Sequence, residues 1–499
     1  MFDLFKHSVA APLLLLFWIG SQPAVQAQER EHQSSSPNIV FILADDLGIG
    51  DVRSYNSSSN VSMPNVNRLA EQGMLFTDAH ASGSWCTPSR YGLMTGRYPF
   101  RSEMEEWGER ALIQPGQTTL ASFLKDNGYH TGMVGKWHLG FEGGTDFDCS
   151  KPLEGGPVDH GFDTFFGIHT SLDIPPFFYI QNDECIAAPT QTIYGRRSSK
   201  SFWNNIQGPF WSKGGIAPGF RHENVLPRWR EKAVSFLENR RRSEDEQPFF
   251  LYLALTAPHT PWLPLEPFQG KSGAGAYGDF AMQVDGVVGS VLQALKRLDV
   301  AKNTLVIFTS DNGPVWYPKD EERFDHRSTS IYRGMKGDAW EGGHRMPFIA
   351  RWPGHISAGT ASDETIAFTD MLATIGAILG EELPAKAGED SYSFLPVLLG
   401  KDLEEPVHEV LVHGGFTGTE ELAVRKGRWK LIPWRGSGGF TDPAQRDPKP
   451  GEPPGQLYNL QDDPGESKNV YQKNPKVVDQ LQSLLEKYKR GGPASDEQE

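Results

Sequence analysis

Three uninterrupted apolar runs of strand length stand out in this chain, and each leads into residues that carry chemistry. Asn38-Ile39-Val40-Phe41-Ile42-Leu43-Ala44 stops at Asp45-Asp46. Phe249-Phe250-Leu251-Tyr252-Leu253-Ala254-Leu255 runs on to Ala257-Pro258-His259, and Thr304-Leu305-Val306-Ile307-Phe308 leads to Ser310-Asp311-Asn312-Gly313. A strand with no polar alternation must be covered on both faces, as in parallel sheets packed between helices. A shorter run, Thr131-Gly132-Met133-Val134, enters Gly135-Lys136-Trp137-His138-Leu139-Gly140, and residues 348–352 read as a further strand. Helical spacing covers 65–72, 118–126, 280–298 and 370–379. Strands alternating with helices predict an α/β sheet with covered faces. In such sheets, functional groups gather at the carboxyl ends of the strands.

Four predicted strands therefore aim Asp45-Asp46, Lys136 and His138, His259, and Asp311-Asn312 at one edge. Three carboxylates and an amide are hard oxygen donors. They suit Ca²⁺ or Mg²⁺ rather than zinc, which favours His and Cys.

Between the first two of these strands lies Cys86-Thr87-Pro88-Ser89-Arg90, continued by Tyr91-Gly92-Leu93-Met94-Thr95-Gly96-Arg97. It reads as a loop feeding a helix. Pro88 suits a first helical position, where its missing N–H costs nothing. Cys86 then sits just before the helix, at the positive end of its dipole, a place that binds anions and favours a charged thiol. Arg90, one turn in, adds a fixed bidentate cation.

The 499 residues are enough for one large and one smaller domain. A net charge of −15 without a dense basic run excludes nucleic acid as a partner, and any anion site must be locally basic. Residues 1–27 read as a signal peptide. Lys6 marks the n-region, the apolar run from Val9 to Ile19 is too short to span a bilayer, and Val25-Gln26-Ala27 is a cleavage site. The expectation is a secreted or periplasmic protein without stable membrane insertion, or a lysosomal or extracellular one in a eukaryote. Residues 28–36 read as a linker, 37–404 as the catalytic α/β domain, 405–490 as an α+β subdomain and 491–499 as a tail. Within them, 155–246 read as loop-rich aromatic excursions that wall a pocket. Cys149 and Cys185 either pair or stay as two buried thiols.

Cys-x-Pro-x-Arg followed by Thr-Gly-Arg resembles the signature of the type I sulfatases of the alkaline phosphatase superfamily. The resemblance extends over most of 38–347. It takes in Gly-Lys-Trp-His-Leu-Gly, Ala-Pro-His-Thr-Pro, Phe166-Gly167-Ile168-His169-Thr170-Ser171, and Gly334-Met335-Lys336-Gly337 before Glu341-Gly342-Gly343. It implies a large mixed, mostly parallel sheet sandwiched by helices, with a smaller C-terminal α+β subdomain. It also implies that Cys86 is oxidised to formylglycine (3-oxoalanine) by a maturation enzyme. Asp45, Asp46, Asp311 and Asn312, with the modified residue 86, would hold calcium, ahead of magnesium. Arg90, Lys136, His138, His259 and Lys336 would be catalytic. Ser171, Lys136, His259 and Lys336 would contact substrate, and Arg345 would be structural. The implied chemistry is sulfate-ester hydrolysis through a covalent sulfo-enzyme, with His259 and Lys336 serving the leaving alcohol and His138 the release of sulfate.

The expected substrate is an O-sulfated sugar of a glycan, such as 6-sulfated galactose or N-acetylgalactosamine. Trp203, Phe210, Trp211, Trp262, Arg221, His222 and Arg228 either line its site or form local core. Trp429, Trp434 and Arg435 are expected at the same mouth. The competing readings are a phosphodiesterase or phosphonate monoester hydrolase with the same modified cysteine, and a secreted glycan-binding protein with an unmodified one.

Overall fold

The computed structural model describes residues 36–102, 104, 110–204, 206–242, 247–414 and 421–491. The expected signal peptide, nearly all of the linker and nearly all of the tail lie outside the described residues.

The main sheet has ten strands: β1 (Asn38–Asp45), β2 (Met74–Phe76), β3 (His130–Lys136), β4 (Thr164–Ile168), β5 (Ile180–Gln181), β6 (Glu184–Cys185), β7 (Phe249–Pro258), β8 (Thr304–Ser310), β9 (Phe348–Arg351) and β10 (Thr360–Ser362). Their order is β10-β2-β9-β8-β1-β7-β3-β4-β5-β6. The adjacent strands β8, β1, β7, β3 and β4 are all parallel to their neighbours. Antiparallel strands β9 and β5 flank this block. Ile39–Ala44, Phe250–Leu255 and Leu305–Phe308 are buried throughout, as their unbroken apolar runs require.

The parallel block contains one strand, Thr164–Ile168, within the stretch that the sequence predicts to be loop-rich. Thr164–Ile168 is short and interrupted by Gly167, so it carries little strand signal of its own. The same stretch contains a helix, Val225–Arg242. Val225, Leu226, Trp229, Ala233 and Leu237 bury one face at helical spacing, but charged residues dominate the rest and mask the pattern. Cys149 and Cys185 form a disulfide with Cα atoms 5.4 Å apart, tying the loop after β3 to β6.

Much of the aromatic wall is local core. Trp211 stacks on His222 with ring centroids 4.5 Å apart and planes 13° apart, and Arg228 lies 5.0 Å over Tyr179. Arg221 is exposed.

A second sheet, β11 (Val410–Gly414), β12 (Leu422–Lys426), β13 (Trp429–Ile432) and β14 (Gln456–Asn459), is antiparallel throughout. The helix Pro475–Gly491 presses Val478, Leu481, Leu485 and Tyr488 against it. A buried ionic junction joins this sheet to the main body. Arg425 donates to both oxygens of Asp78 at 2.9 and 2.6 Å. Arg345 bridges Asp78 at 2.6 Å and Glu341 at 2.7 Å. Lys430 bridges Glu341 at 2.8 Å and Glu466 at 3.0 Å. Arg345 is thus structural, as expected. Buried charges persist only when paired, and removing one partner strands the others.

Lys430→Met should therefore destabilise the protein by about 3–5 kcal/mol, read as a lower denaturation midpoint; an unchanged midpoint would show the junction to be inert. His222 yields a pH prediction. Burial holds its imidazole at about 4, below the usual 6.5. The neutral folded form is favoured, so its stability contribution is complete above the unfolded value and is lost as pH falls toward the folded one. Between about pH 7 and pH 5 that loss is about 2 kcal/mol. In His222→Gln the difference in denaturation midpoint between those two pH values should narrow accordingly.

Candidate active site

All five parallel strands deliver candidate functional residues to one edge. β1 ends in Asp45 and is followed by Asp46, β3 ends in Lys136 with His138 two residues on, and β4 is followed by Ser171. β7 is followed by His259, and β8 by Asp311 and Asn312. Two of these residues adopt left-handed backbone, Asp46 at φ 63° and His138 at φ 61°. Non-glycine residues rarely do so, and such strain is kept where the surroundings impose it. The Asp46 amide donates to Asp311 Oδ1 at 3.2 Å, and the His138 amide to the His169 carbonyl at 2.9 Å. Gly135 has φ 124°, and a Cβ there would lie 1.8 Å from the Ala254 carbonyl oxygen. Only glycine lets β3 carry Lys136 that close to β7.

Cys86 opens the helix Cys86–Thr95, which is buried along its whole length. Trp85 caps it, so Cys86 is the first helical residue rather than the residue before it, and Pro88 is the third. Pro88 still falls in the first turn, where a missing N–H breaks no helical bond. Gly92 permits close packing, since a Cβ there would meet Ser82 Oγ at 2.3 Å. Lys336 arrives on a loop whose amides are fastened to neighbours. Lys336 N–H donates to the Pro314 carbonyl at 3.0 Å, and Gly337 N–H to the Ser84 carbonyl at 2.7 Å. The second sheet's loop supports it from behind, with Ala339 N–H donating to the Ser437 carbonyl at 2.7 Å and Thr441 N–H to Asp338 at 3.0 Å.

These elements converge on three buried ion pairs around one sulfur. Lys136 Nζ donates to Asp45 Oδ2 at 2.8 Å. Lys336 Nζ donates to both Asp46 oxygens at 2.7 and 2.9 Å. Arg90 grips Asp311 Oδ2 through Nε at 3.0 Å and Nη2 at 2.7 Å. Cys86 Sγ lies 3.4 Å from Asp45 Oδ1, 4.0 Å from Asp46 Oδ1 and 3.3 Å from Lys336 Nζ. Lys136 and Arg90 are fully buried, so neither is the solvated cation that its residue type usually is.

The electrostatics follow from burial and pairing. Burial pushes the Asp45 carboxyl up, but the fields of Lys136, His259, Arg90 and Lys336 overcome it and hold Asp45 well below the usual carboxylate range. Burial wins at Asp46 and Asp311, which are raised. Burial, then Asp311, pushes the Cys86 thiol well above its usual value. The charged thiol expected at a helix N-terminus is therefore not found: burial, and after it the carboxylate of Asp311, favour the neutral form. Lys336 is held well above the usual lysine range by Asp46 and its neighbours, against burial. Burial, then Lys136 and Arg90, push His138 well below the usual value, so its ring is neutral. Burial, then Lys336, bring His259 to about 4. His259 Nδ1 lies 2.6 Å from the Thr260 carbonyl, which can only accept, so the ring proton sits on Nδ1 and Nε2 is bare.

The residues fit a hard divalent cation. Asp45, Asp46, Asp311 and Asn312 are all buried. Asn312 commits its amide nitrogen to Asp46 Oδ1 at 2.6 Å and to the Gly313 carbonyl at 2.9 Å, and its Oδ1 has no hydrogen-bond partner. A buried amide oxygen without a donor, beside three carboxylates, is the donor set that a hard cation takes. A second cluster, His80, His344 and His413, also has its ring nitrogens close together. There, however, one arrangement of tautomers lets Lys430 donate to His344, His344 to His80, and His80 to Asp78, at 3.1, 2.9 and 2.8 Å.

A cavity of about 260 Å³ opens over this centre. It exposes Asp46, Cys86, His138, Ser171, His259 and Lys336, with Trp262, Ile206, Ile174 and Phe440 as its apolar wall. Pro258, Asp173, Trp85, Thr260, Tyr277 and Val315 complete the lining, and of these Asp173, Trp85, Tyr277 and Val315 are not marked by any sequence motif. Ser171 Oγ and Asp173 Oδ1 are buried without a hydrogen-bond partner. The signal for Asp173 was its place two residues beyond Ser171 on the same strand exit. From the second sheet it is Phe440 that lines this cavity, not the expected residues. Trp434 packs against the cluster of Ala339 and Trp340, Arg435 lies 3.9 Å from Glu452, and Trp429 lines a separate cleft.

The comparisons agree with this geometry. Residues 37–381 match the family model "Sulfatase", and residues 336–491 match "N-sulphoglucosamine sulphohydrolase, C-terminal". The chain is 35% identical to an N-acetylgalactosamine-6-O-sulfatase of Bacteroides thetaiotaomicron, over 93% of this chain and 95% of that protein. It is 33% identical to human arylsulfatase A, over 90% and 87% of the two chains. Among solved structures, a sulfatase from work on glycosaminoglycan metabolism by Bacteroides thetaiotaomicron superposes with a TM-score of 0.79 at 35% identity, covering 92% of this chain and all (100%) of that one. A structure holding a bound neocarrahexaose gives a TM-score of 0.68 at 25% identity, covering 91% and 93%. With the family model spanning most of its length and its fold shared with these relatives, the chain belongs to the sulfatase family and is a sulfuric ester hydrolase.

Proposed function

We propose that this protein removes 6-O-sulfate from N-acetylgalactosamine or galactose units of an exported glycan, using Cys86 in its formylglycine form and a calcium ion. The observation that carries the reading is the sulfur of Cys86, 3.4 Å from Asp45 Oδ1 and 3.3 Å from Lys336 Nζ, at the floor of a sugar-sized cavity. The sugar is taken from the relative named for N-acetylgalactosamine 6-sulfate. Export rests on the signal-like residues 1–27, and among the described residues no helix is long and apolar enough to cross a membrane. The catalytic unit is placed at 37–404 and the appendage at 405–490.

Asp45, Asp46, Asp311 and Asn312 would hold the cation, which supplies positive charge toward sulfate oxygens and acidifies a hydroxyl beside it. Residue 86 in its formylglycine form would supply hydrated-aldehyde chemistry, a hydroxyl nucleophile at the floor of the cavity. The chain's own groups do the rest. Arg90 stays locked on Asp311 and fixes the charge balance at the floor. Lys136 and Lys336 present preorganised positive charge to the sulfate, the largest class of catalytic effect. Ser171 Oγ has no internal partner to lose and is free to donate to the substrate. His138 is neutral and so able to accept a proton. His259 has its Nδ1 proton committed to Thr260, and acts as an acid only after Nε2 takes up a second proton. The negative charge of a bound sulfate favours that uptake, with Lys336 as the standing cation beside the leaving oxygen.

The test is sulfate release from N-acetylgalactosamine 6-sulfate, an aryl sulfate and an aryl phosphodiester in parallel. Turnover of both sulfates, lost on chelation and restored by calcium, is expected. His259→Ala should lower kcat about 10²–10⁴-fold on the sugar, whose alcohol leaves poorly, and less on the aryl ester. Preferential turnover of the phosphodiester would replace this reading with a phosphorus-ester hydrolase.

A further inference from the structure

Residues 186–222 contain five basic residues, Arg196, Arg197, Lys200, Lys213 and Arg221, and no acidic one, in a chain whose net charge is −15. All five are exposed. Three of them lie against aromatic rings, and among the described residues none of the five is ion-paired to a carboxylate: Arg196 lies 5.1 Å from the centre of Trp211, Lys200 5.6 Å from Phe202 and Lys213 5.7 Å from Tyr194. Tyr194 itself is 77% exposed, a bare ring beside a cation.

This excursion is fastened to the wall of the active-site cavity. The Gly208 carbonyl accepts from Trp262 N–H and Thr260 Oγ1, both at 2.9 Å. Ser212 N–H donates to the Asp173 carbonyl at 2.9 Å. Trp262, Thr260 and Asp173 all line the cavity. Arg196 is held in turn by a pair of backbone hydrogen bonds to Trp211, at 2.8 and 3.1 Å, one residue before Ser212. Arg196 thus stands on backbone fastened to the cavity wall, within the same exposed excursion as Arg197, Lys200 and Lys213. An anionic polymer approaching a chain of net charge −15 is repelled overall, and a local run of solvent-facing cations reverses that field within a Debye length.

We propose that the basic face of 186–222 is a second anion subsite, which holds a further sulfate or carboxylate on a saccharide unit next to the one in the cavity. The preferred substrate is then an anionic oligosaccharide rather than a lone sulfated sugar. The exposed ring of Tyr194 suits a sugar face, and the cations around it suit charged substituents. The inference rests on the sulfated-sugar reading above.

The test compares wild type with the triple variant Arg196→Gln, Arg197→Gln, Lys200→Gln. Three substrates are used: an aryl sulfate, N-acetylgalactosamine 6-sulfate and a chondroitin 6-sulfate tetrasaccharide. The variant should raise KM for the tetrasaccharide about tenfold at unchanged kcat and flatten its salt dependence. KM for the two small substrates should stay within about twofold. Retention on immobilised chondroitin sulfate, measured alongside, should fall to a lower eluting salt concentration. An unchanged tetrasaccharide KM, an equal shift for all three substrates, or unchanged retention overturns the subsite. A wild type that hydrolyses no sulfated sugar overturns the parent reading instead, and the retention measurement still decides the subsite.

Discussion

Three carboxylates and three cations share one buried volume, and the rest of the site depends on their pairing. An unpaired charge at that depth costs several kcal/mol, so Asp45, Asp46 and Asp311 are tenable only because Lys136, Lys336 and Arg90 reach them. Each cation comes from a different element: β3, the loop before Glu341, and the helix begun by Cys86. The ion pairs therefore hold three distant parts of the chain in register. In the reaction proposed above, the same positive charge is set in place during folding, which would leave little reorganisation for the chemical step.

The scaffold contributes direction. Five parallel strands point one way, so five strand exits meet at one edge. The exits are not interchangeable. Asp46 and His138 turn through left-handed backbone, which aims their side chains back over the strand ends. The second sheet supports the Lys336 loop through Ser437 and Thr441 and sends Phe440 into the cavity wall. Its ionic junction through Asp78, Glu341 and Lys430 braces both the segment before Cys86 and the segment after Lys336.

Much of this was legible beforehand, for physical reasons. Apolar runs ending in Asp-Asp or Asp-Asn announce buried parallel strands with hard oxygen donors at their tips, and the structure places Asp45, Asp46, Asp311 and Asn312 together. Lys136, His138 and His259 were legible with them by the same strand-end argument, whereas the meeting of Cys86 and Lys336 with them was legible through motif resemblance, since no local periodicity links residues hundreds of positions apart. What escaped depends on tertiary context. The thiol of Cys86 answers to burial and to carboxylates brought from other strands, which a helix-dipole argument cannot see. Thr164–Ile168 becomes a strand because β3 lies beside it, despite a weak pattern of its own. The helix Val225–Arg242 hides its apolar face among charges. Trp434 and Trp429 are directed by the second sheet's packing, which leaves Phe440 at the mouth.

The account stands most directly on what residue 86 becomes in the mature protein. Mass spectrometry of the peptide containing Cys86-Thr87-Pro88-Ser89-Arg90, from protein made in a host with active cysteine-oxidising maturation, measures this without reference to any substrate. The account predicts that the sulfur is gone and that an aldehyde, or its hydrate, stands in its place. A peptide that keeps its thiol in full would contradict it, and would leave the paired charges around Cys86 as architecture without this chemistry.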